Sequence, residues 1–255
     1  MTPIIATDAM QTQDPGDEVV EFSLAVLCYR AEDDIVPFVT RLHRIMSMFT
    51  EPWEVVLVAN YWPDTADRTP AIVKSLAERL ARVRVVAEPK QGGMGWDMKM
   101  GLDACRGRYI GIIDGDGQYP MESISACFAK IKVDDIDLVK SYRVYRSDGL
   151  YRNFISKVYN VAFTLLFPAY RGLRDVNSKP KMMKREAYQR MELHSKDWFL
   201  DAELILEALR LRLRIYELPI QFSGLRGRKS FVQFQTIAEF VRNLIAYRWR
   251  PGRER

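Results

Sequence analysis

The chain has 255 residues, 48% hydrophobic and 28% charged, which is long and apolar enough to bury one large globular core. Its formal net charge of +5 favours nucleotides, phosphates or anionic lipid as partners, and the excess is too small to call for a nucleic acid. No run approaches the roughly 20 apolar residues of a membrane-spanning helix, and the polar opening from Met1 to Glu18 lacks the basic start and apolar run of a secretory signal, so it reads as a disordered leader.

Short β-rich apolar runs alternate with longer helical segments, the pattern of an α/β fold with strands and crossover helices around a parallel sheet. Val20 to Tyr29 predicts the first strand, Ile35 to Met48 a helix, Trp53 to Asn60 the second strand, and Pro70 to Ala81 a helix opened by proline. Val83 to Ala87 predicts a third strand. The glycine-bearing loop Gln91 to Gly95 leads into a helix through Ala104, and Tyr109 to Ile113 is a fourth strand that stops at Asp114-Gly-Asp116-Gly-Gln118. Further on, Leu138 to Tyr142 reads as a strand, Tyr151 to Phe167 as an amphipathic helix and Arg171 to Pro180 as a loop. A short strand near Lys181 to Met183, a helix from Phe199 to Leu211, a strand from Arg214 to Phe222 and a helix from Phe231 to Trp249 complete the chain. Cys28, Cys105 and Cys127 lie in apolar or small-residue stretches without metal-type spacing, as buried free thiols of a reducing cytoplasm would.

In an open parallel sheet, ligands collect at the carboxyl ends of the strands, and Asp114 and Asp116 stand at such an end. Two carboxylates one glycine apart can reach a single Mg2+ or Mn2+ that bridges diphosphate oxygens, and Gln118 can add a neutral oxygen. The same residues also suit a plain turn. His43 and His194 are remote from each other and from any ligand partner, so histidine chemistry is not expected.

The run from Glu88 to Ser123 resembles the core signature of the family 2 glycosyltransferases, in particular the dolichol-phosphate mannose synthase-like branch that acts on polyprenyl phosphates. Gln91-Gly-Gly93-Met-Gly95, Gly101, Ala104, Gly107 and Tyr109 through Asp114-Gly-Asp116-Gly-Gln118-Tyr-Pro120 follow that signature in order and spacing. The resemblance implies a GT-A type nucleotide-diphospho-sugar transferase fold over residues 19–230, with a C-terminal amphipathic helix and basic tail over 231–255. It places Asp114 near the sugar or diphosphate and the metal on Asp116 and Gln118.

Upstream, Ser23 to Ile35 resembles the first strand and nucleoside-cradling turn, so Tyr29 is expected at the nucleotide. Leu27 stands where proline is usual, and the usual glutamate is either replaced by Ala31 or displaced to Glu32. Asn60 is expected at the base or ribose, and Asp64 or Asp67 at the later aspartate of the second strand's motif. Gly93 and Gly95 join this sugar-donor group. Downstream, Ser141-Tyr-Arg143 and Gly149-Leu-Tyr-Arg152-Asn-Phe-Ile-Ser156 look like the acceptor-phosphate segment. Arg152 and Ser156 are one helical turn apart and can face one phosphate, or form a solvated helix face. Asp175-Val-Asn-Ser178-Lys-Pro-Lys181 matches the family's Asp-x-x-Ser-Gly-Phe-Arg in part, which puts Asp175 beside the sugar and Lys181 in the arginine's place.

Asp201, in Trp198-Phe-Leu-Asp201-Ala-Glu203, resembles the acidic residue that serves hydroxyl-acceptor enzymes as general base; as a carboxylate at a helix start it also favours the dipole. A phosphate acceptor needs no base. Arg226-Gly-Arg228-Lys229-Ser230 resembles the basic loop that closes on the diphosphate, and its glycine-hinged cations suit a lid. In the last helix, Phe234, Ile237, Phe240, Val241 and Leu244 form an apolar stripe beside arginines, fit either for peripheral contact with the inner face of an anionic membrane or for core packing.

The expected activity is inverting transfer from a nucleotide sugar, GDP-mannose or a UDP-sugar, to a polyprenyl phosphate. Two rivals are a soluble transferase acting on a saccharide or small-molecule hydroxyl and a catalytically silent nucleotide-sugar-binding module. A nucleotidyltransferase fits less well, because Tyr29 to Asp34 holds no glycine for a phosphate loop. A homodimer is compatible with the sequence, which names neither sugar, base nor acceptor.

Overall fold

The computed structural model of the chain describes residues 19–145, 163, 167, 172–222 and 242–249. Its centre is a sheet of seven strands: β1 (Phe22–Leu27), β2 (Trp53–Val58), β3 (Val83–Val86), β4 (Tyr109–Asp114), β5 (Leu138–Tyr145), β6 (Lys181–Lys184) and β7 (Ile215–Gln221), in the order β3-β2-β1-β4-β6-β5-β7. The four strands from β3 to β4 are mutually parallel, as are β5 and β7. Between these groups β6 runs antiparallel to both neighbours, pairing Tyr109 with Lys184 on one side and Leu138 with Met183 on the other. The sheet is therefore mostly parallel, as the strand-helix alternation predicts.

β1 and β2 are buried along their whole length, which parallel strands require when helices cover both faces. Side chains alternate between two layers. Phe22, Leu24 and Val26 face α1 (Ile35–Met46) and α4 (Glu122–Val133), where Phe22 stacks on Phe128 with ring centroids 4.6 Å apart. Ala25 and Leu27 face Met98 and Leu102 of α3 (Met94–Ala104) and Leu200, Leu204 and Ile205 of α6 (Leu200–Arg210). Between β2 and β3 runs α2 (Thr69–Arg79), with Pro70 in its first turn, where its missing N–H costs nothing.

Two helices go beyond the sequence expectation. α4 buries Ile124, Cys127, Phe128 and Ile131 on one face, and α5 (Arg185–Gln189) follows β6 directly. The three cysteines are buried and free, as expected, and burial raises all three thiol pKa values. No helix among the described residues is long and apolar enough to cross a membrane. The expected leader and the helix expected over 151–167 fall outside the described residues, apart from Phe163 and Phe167.

Candidate active site

The acidic turn sits where sheet logic puts it. Asp114 ends β4 in register with Leu27, and the Gly115 N–H donates to the Leu27 carbonyl over 2.9 Å, so the turn leaves from the carboxyl edge of the parallel strands. Gly117 has φ +72°, the left-handed region that favours glycine, and the Asp116 carboxylate accepts the Gln118 N–H at 3.0 Å. Among the described residues no group of three or more His, Cys, Asp or Glu side chains is gathered to hold a metal ion. The chemistry of the turn nevertheless suits one: Mg2+ is held through one or two carboxylates, with phosphate and water oxygens completing its shell.

Behind the turn lies a buried ionic cluster that the sequence reading missed. Lys179 is 2% exposed, and its ammonium donates to Asp114 at 3.2–3.3 Å and to Asp201 at 3.1 Å. Asp201, 1% exposed, also accepts from Lys181, which donates as well to the Ser178 carbonyl at 3.0 Å. Burial disfavours all three charges, and the outcomes differ by neighbour. Burial would raise Asp201, but the charges of Lys179 and Lys181 outweigh it and hold its carboxyl below the usual range. Burial would lower Lys179, yet with two carboxylates beside it the ammonium is held above the ordinary lysine range. Lys181 shares one carboxylate and faces a second lysine, and burial pushes it down to about 8.

On the acceptor side, Asp175 grips Arg143 in a bidentate pair of 2.6 Å bonds and also accepts the Arg143 N–H at 3.1 Å. The same guanidinium lies 5.0 Å from the centre of the Phe222 ring. Lys140, buried in β5, donates to Glu217 of β7 at 2.5 Å. The two residues expected at phosphate and sugar, Arg143 and Asp175, thus meet each other. The side chain of Lys181 is fully buried on Asp201.

On the nucleotide side each expected residue has partners within the chain itself. Asn60 is 1% exposed; its amide donates to Asp97 at 2.9 Å and accepts the Glu88 N–H at 2.9 Å, tying the end of β2 to α3. Asp97 is paired with Lys90, whose ammonium lies 4.4 Å from the centre of the Tyr29 ring. Tyr29 therefore carries a cation on its ring. Glu32 accepts from the Arg68 side chain at 3.0 Å, and Asp67 accepts the Thr69 N–H at 2.9 Å at the start of α2. Asp64 is exposed.

The glycines of the loop have a packing reason. A Cβ at Gly95 would lie 2.4 Å from the Asp197 carbonyl oxygen, and one at Gly93 3.3 Å from the Lys196 carbonyl. The backbone of 196–197 lies against the start of α3, with the Trp96 N–H donating to Lys196 O at 3.1 Å. Glu203 reinforces this approach by accepting the N–H groups of His194 and Ser195 at 3.0 and 2.8 Å, a structural role. The loop therefore seats the segment that delivers Asp201. Gly95→Ala should gain about 1 kcal/mol of helix propensity and lose about 1–3 kcal/mol or more to overpacking against backbone, so urea denaturation is expected to give a lower midpoint at unchanged slope.

Arg152, Ser156, Arg226, Arg228, Lys229 and Ser230 lie outside the described residues. Of the last helix, 242–248 is described as helical. Leu244 and Tyr247 are buried in the core that contains Phe199, and the Asn243 amide donates to Asp197 at 2.5 Å, while Ile245 and Trp249 are 44% and 69% exposed.

The profile of the glycosyl transferase family 2 matches residues 23–192. The chain is 24% identical over 208 residues to a dolichyl-phosphate beta-glucosyltransferase of Trichomonas vaginalis, an alignment covering 77% of this chain and 63% of that one. It is 29% identical over 141 residues to the dodecaprenyl-phosphate galacturonate synthase of Rhizobium johnstonii, covering 55% and 40%. The chain thus spans less than two thirds of the length of either relative. Among solved structures, glucosyl-3-phosphoglycerate synthase from Mycobacterium tuberculosis, in complex with Mn2+, UDP and glucosyl-3-phosphoglycerate, superposes with a TM-score of 0.67 at 16% identity, covering 89% of this chain and 78% of that one, a likeness of fold. With a family match across more than half its length and an acidic turn at the carboxyl edge of a GT-A sheet, the chain belongs to glycosyl transferase family 2.

Proposed function

We propose that the enzyme moves a sugar, with inversion at the anomeric carbon, from a nucleotide diphosphate sugar, GDP-mannose or a UDP-sugar, to a polyprenyl phosphate. The observation that carries the acceptor class is the state of Asp201. A hydroxyl acceptor must lose its proton as it attacks, and a base for it needs an accessible oxygen and adequate basicity. Asp201 is buried, accepts from two ammoniums and is held below the usual carboxylate range, which makes it a poor base. A phosphate monoester is already anionic and needs positioning alone. The names of the two sequence relatives, one acting on dolichyl phosphate and one on dodecaprenyl phosphate, support the same class.

Mg2+ or Mn2+ would be held by Asp116 and Gln118, and the Mn2+ and UDP of the solved neighbour support the use of such a cation. When bound, the cation neutralises charge on the diphosphate leaving group. The protein's own contribution is to fix Asp114 beside the sugar, to neutralise each acceptor-side carboxylate with its own cation so that an anion is admitted, and to close Arg226, Arg228, Lys229 and Ser230 over the diphosphate. Ile245 and Trp249, flanked by Arg242 and Arg248, suit a peripheral position at the cytoplasmic face of a membrane, where the lipid acceptor is met.

With radiolabelled nucleotide sugars, Mn2+ and polyprenyl phosphate in detergent, label is expected in the organic phase. Label confined to a water-soluble product, or transferred only to free hydroxyls, would reject the lipid acceptor.

A further inference from the structure

Lys179 stands where the family pattern quoted above carries glycine, and its surroundings are unusual for a lysine. An ammonium has three N–H donors. Here three partners surround it: Asp114 at the end of β4, Asp201 in the first turn of α6, and the Met94 sulfur, 3.9 Å away, at the start of α3. No donor is left over for a substrate, so a direct catalytic contact would require breaking one of these. What the arrangement does instead is hold the carboxylate of Asp114, whose side chain is 24% exposed, on its buried side.

We propose that Lys179 is a positioning residue for the sugar donor: its buried ammonium fixes the Asp114 carboxylate at the crevice wall and ties that wall to the starts of α3 and α6. The inference rests on the sugar-donor site proposed above. Left without this cation, Asp114 would be an unpaired carboxylate beside an incoming diphosphate, repelling it and free to rotate. With it, the carboxylate meets the ligand already neutralised and already oriented, so that less is spent on ordering the site.

The claim is one of coupling, and a double-mutant cycle reads coupling directly. Dissociation constants for UDP and GDP in the presence of Mn2+ would be measured by calorimetry for the full chain and for Lys179→Met, Asp114→Asn, Lys179→Met/Asp114→Asn and Lys179→Arg. Lys179→Met is expected to weaken the nucleotide that binds by about tenfold, and Asp114→Asn to cause a similar loss. The double variant should be no more than about twofold weaker than either single one, and Lys179→Arg, which keeps the charge, should recover most of the affinity. Should Lys179→Met not fold, Lys179→Gln, whose amide still donates to the buried Asp201, takes its place in the cycle. Additive losses, approaching a hundredfold in the double variant, or unchanged binding in the single one would overturn the proposal. Wild-type protein that binds neither nucleotide would overturn the sugar-donor site itself, and this inference with it.

Discussion

Asp116→Ala is expected to reduce sugar transfer on the order of 10³-fold or more while leaving the fold intact. The residue sits in a turn beyond the last ladder bond of β4, partly exposed, and the contact its side chain makes to the Gln118 N–H costs about 1 kcal/mol to lose at such a position. That is too little to unfold a domain with two helical layers. Asp116 contributes the one carboxylate of the acidic turn that is not held by Lys179, so at the proposed metal site its removal would leave Gln118 to hold the cation alone. The measurement is turnover at saturating sugar donor across an Mn2+ titration, with thermal melting as the control for folding. Wild-type turnover in a folded Asp116→Ala protein would reject the metal assignment.

Asp201→Ala is expected to act chiefly on stability, lowering the unfolding free energy by about 3–5 kcal/mol at neutral pH, because it leaves buried ammoniums without their shared partner. Lys179 keeps Asp114, but Lys181 keeps only the Ser178 carbonyl. Lys181 can relieve the defect by releasing its proton, since burial has already pushed it from 10.5 to about 8. The sign follows from proton counting. With the folded pKa below the unfolded one, the unfolded chain binds more protons across the window between them, and this group makes stability rise with pH there. Because Asp201 favours the Lys181 ammonium, its loss takes the folded pKa below about 8, so the deficit of Asp201→Ala relative to wild type should shrink as pH rises towards about 8 in urea titrations and stay constant above it. A deficit independent of pH would mean that Lys181 is not the stranded charge.

Much of the donor half was legible because its strands declare themselves. β1, β2 and β4 are short apolar runs, buried on both faces, and the acidic turn follows β4 with the spacing of a ligand-binding edge. α4 was hidden by dilution: Ser123, Ser125, Ala126 and Ala129 surround the four buried apolar residues, so a stripe with helical spacing reads as a weak one. Asn60 and Gly95 were visible as special residues, but their partners are not neighbours in sequence. Asn60 meets Asp97, 37 residues on, and Gly95 meets Asp197, so a ligand role and a packing role look identical until the chain is folded. The lysines were the least legible. A lysine is ordinarily a surface residue, and nothing local marks Lys179 and Lys181 as buried; their partner arrives on a helix 20 to 22 residues later. The one local hint was Lys179 itself, an intrusion of charge where the family pattern has glycine.

The antiparallel β6 makes one further demand on the molecule. It spans four residues, and among the described strands it alone joins the β3-β2-β1-β4 group to the β5-β7 pair. The edges of β4 and β5 are thus kept about 10 Å apart by a single intervening strand. A seam this narrow lets neither half finish before the other: β6 enters the sequence after both of its neighbours and closes two open edges at once. The two partial sheets can become one cooperative body only once the chain extends past residue 221 and β7 has joined β5, and slippage of β6 by a single residue would turn Lys181 away from Asp201.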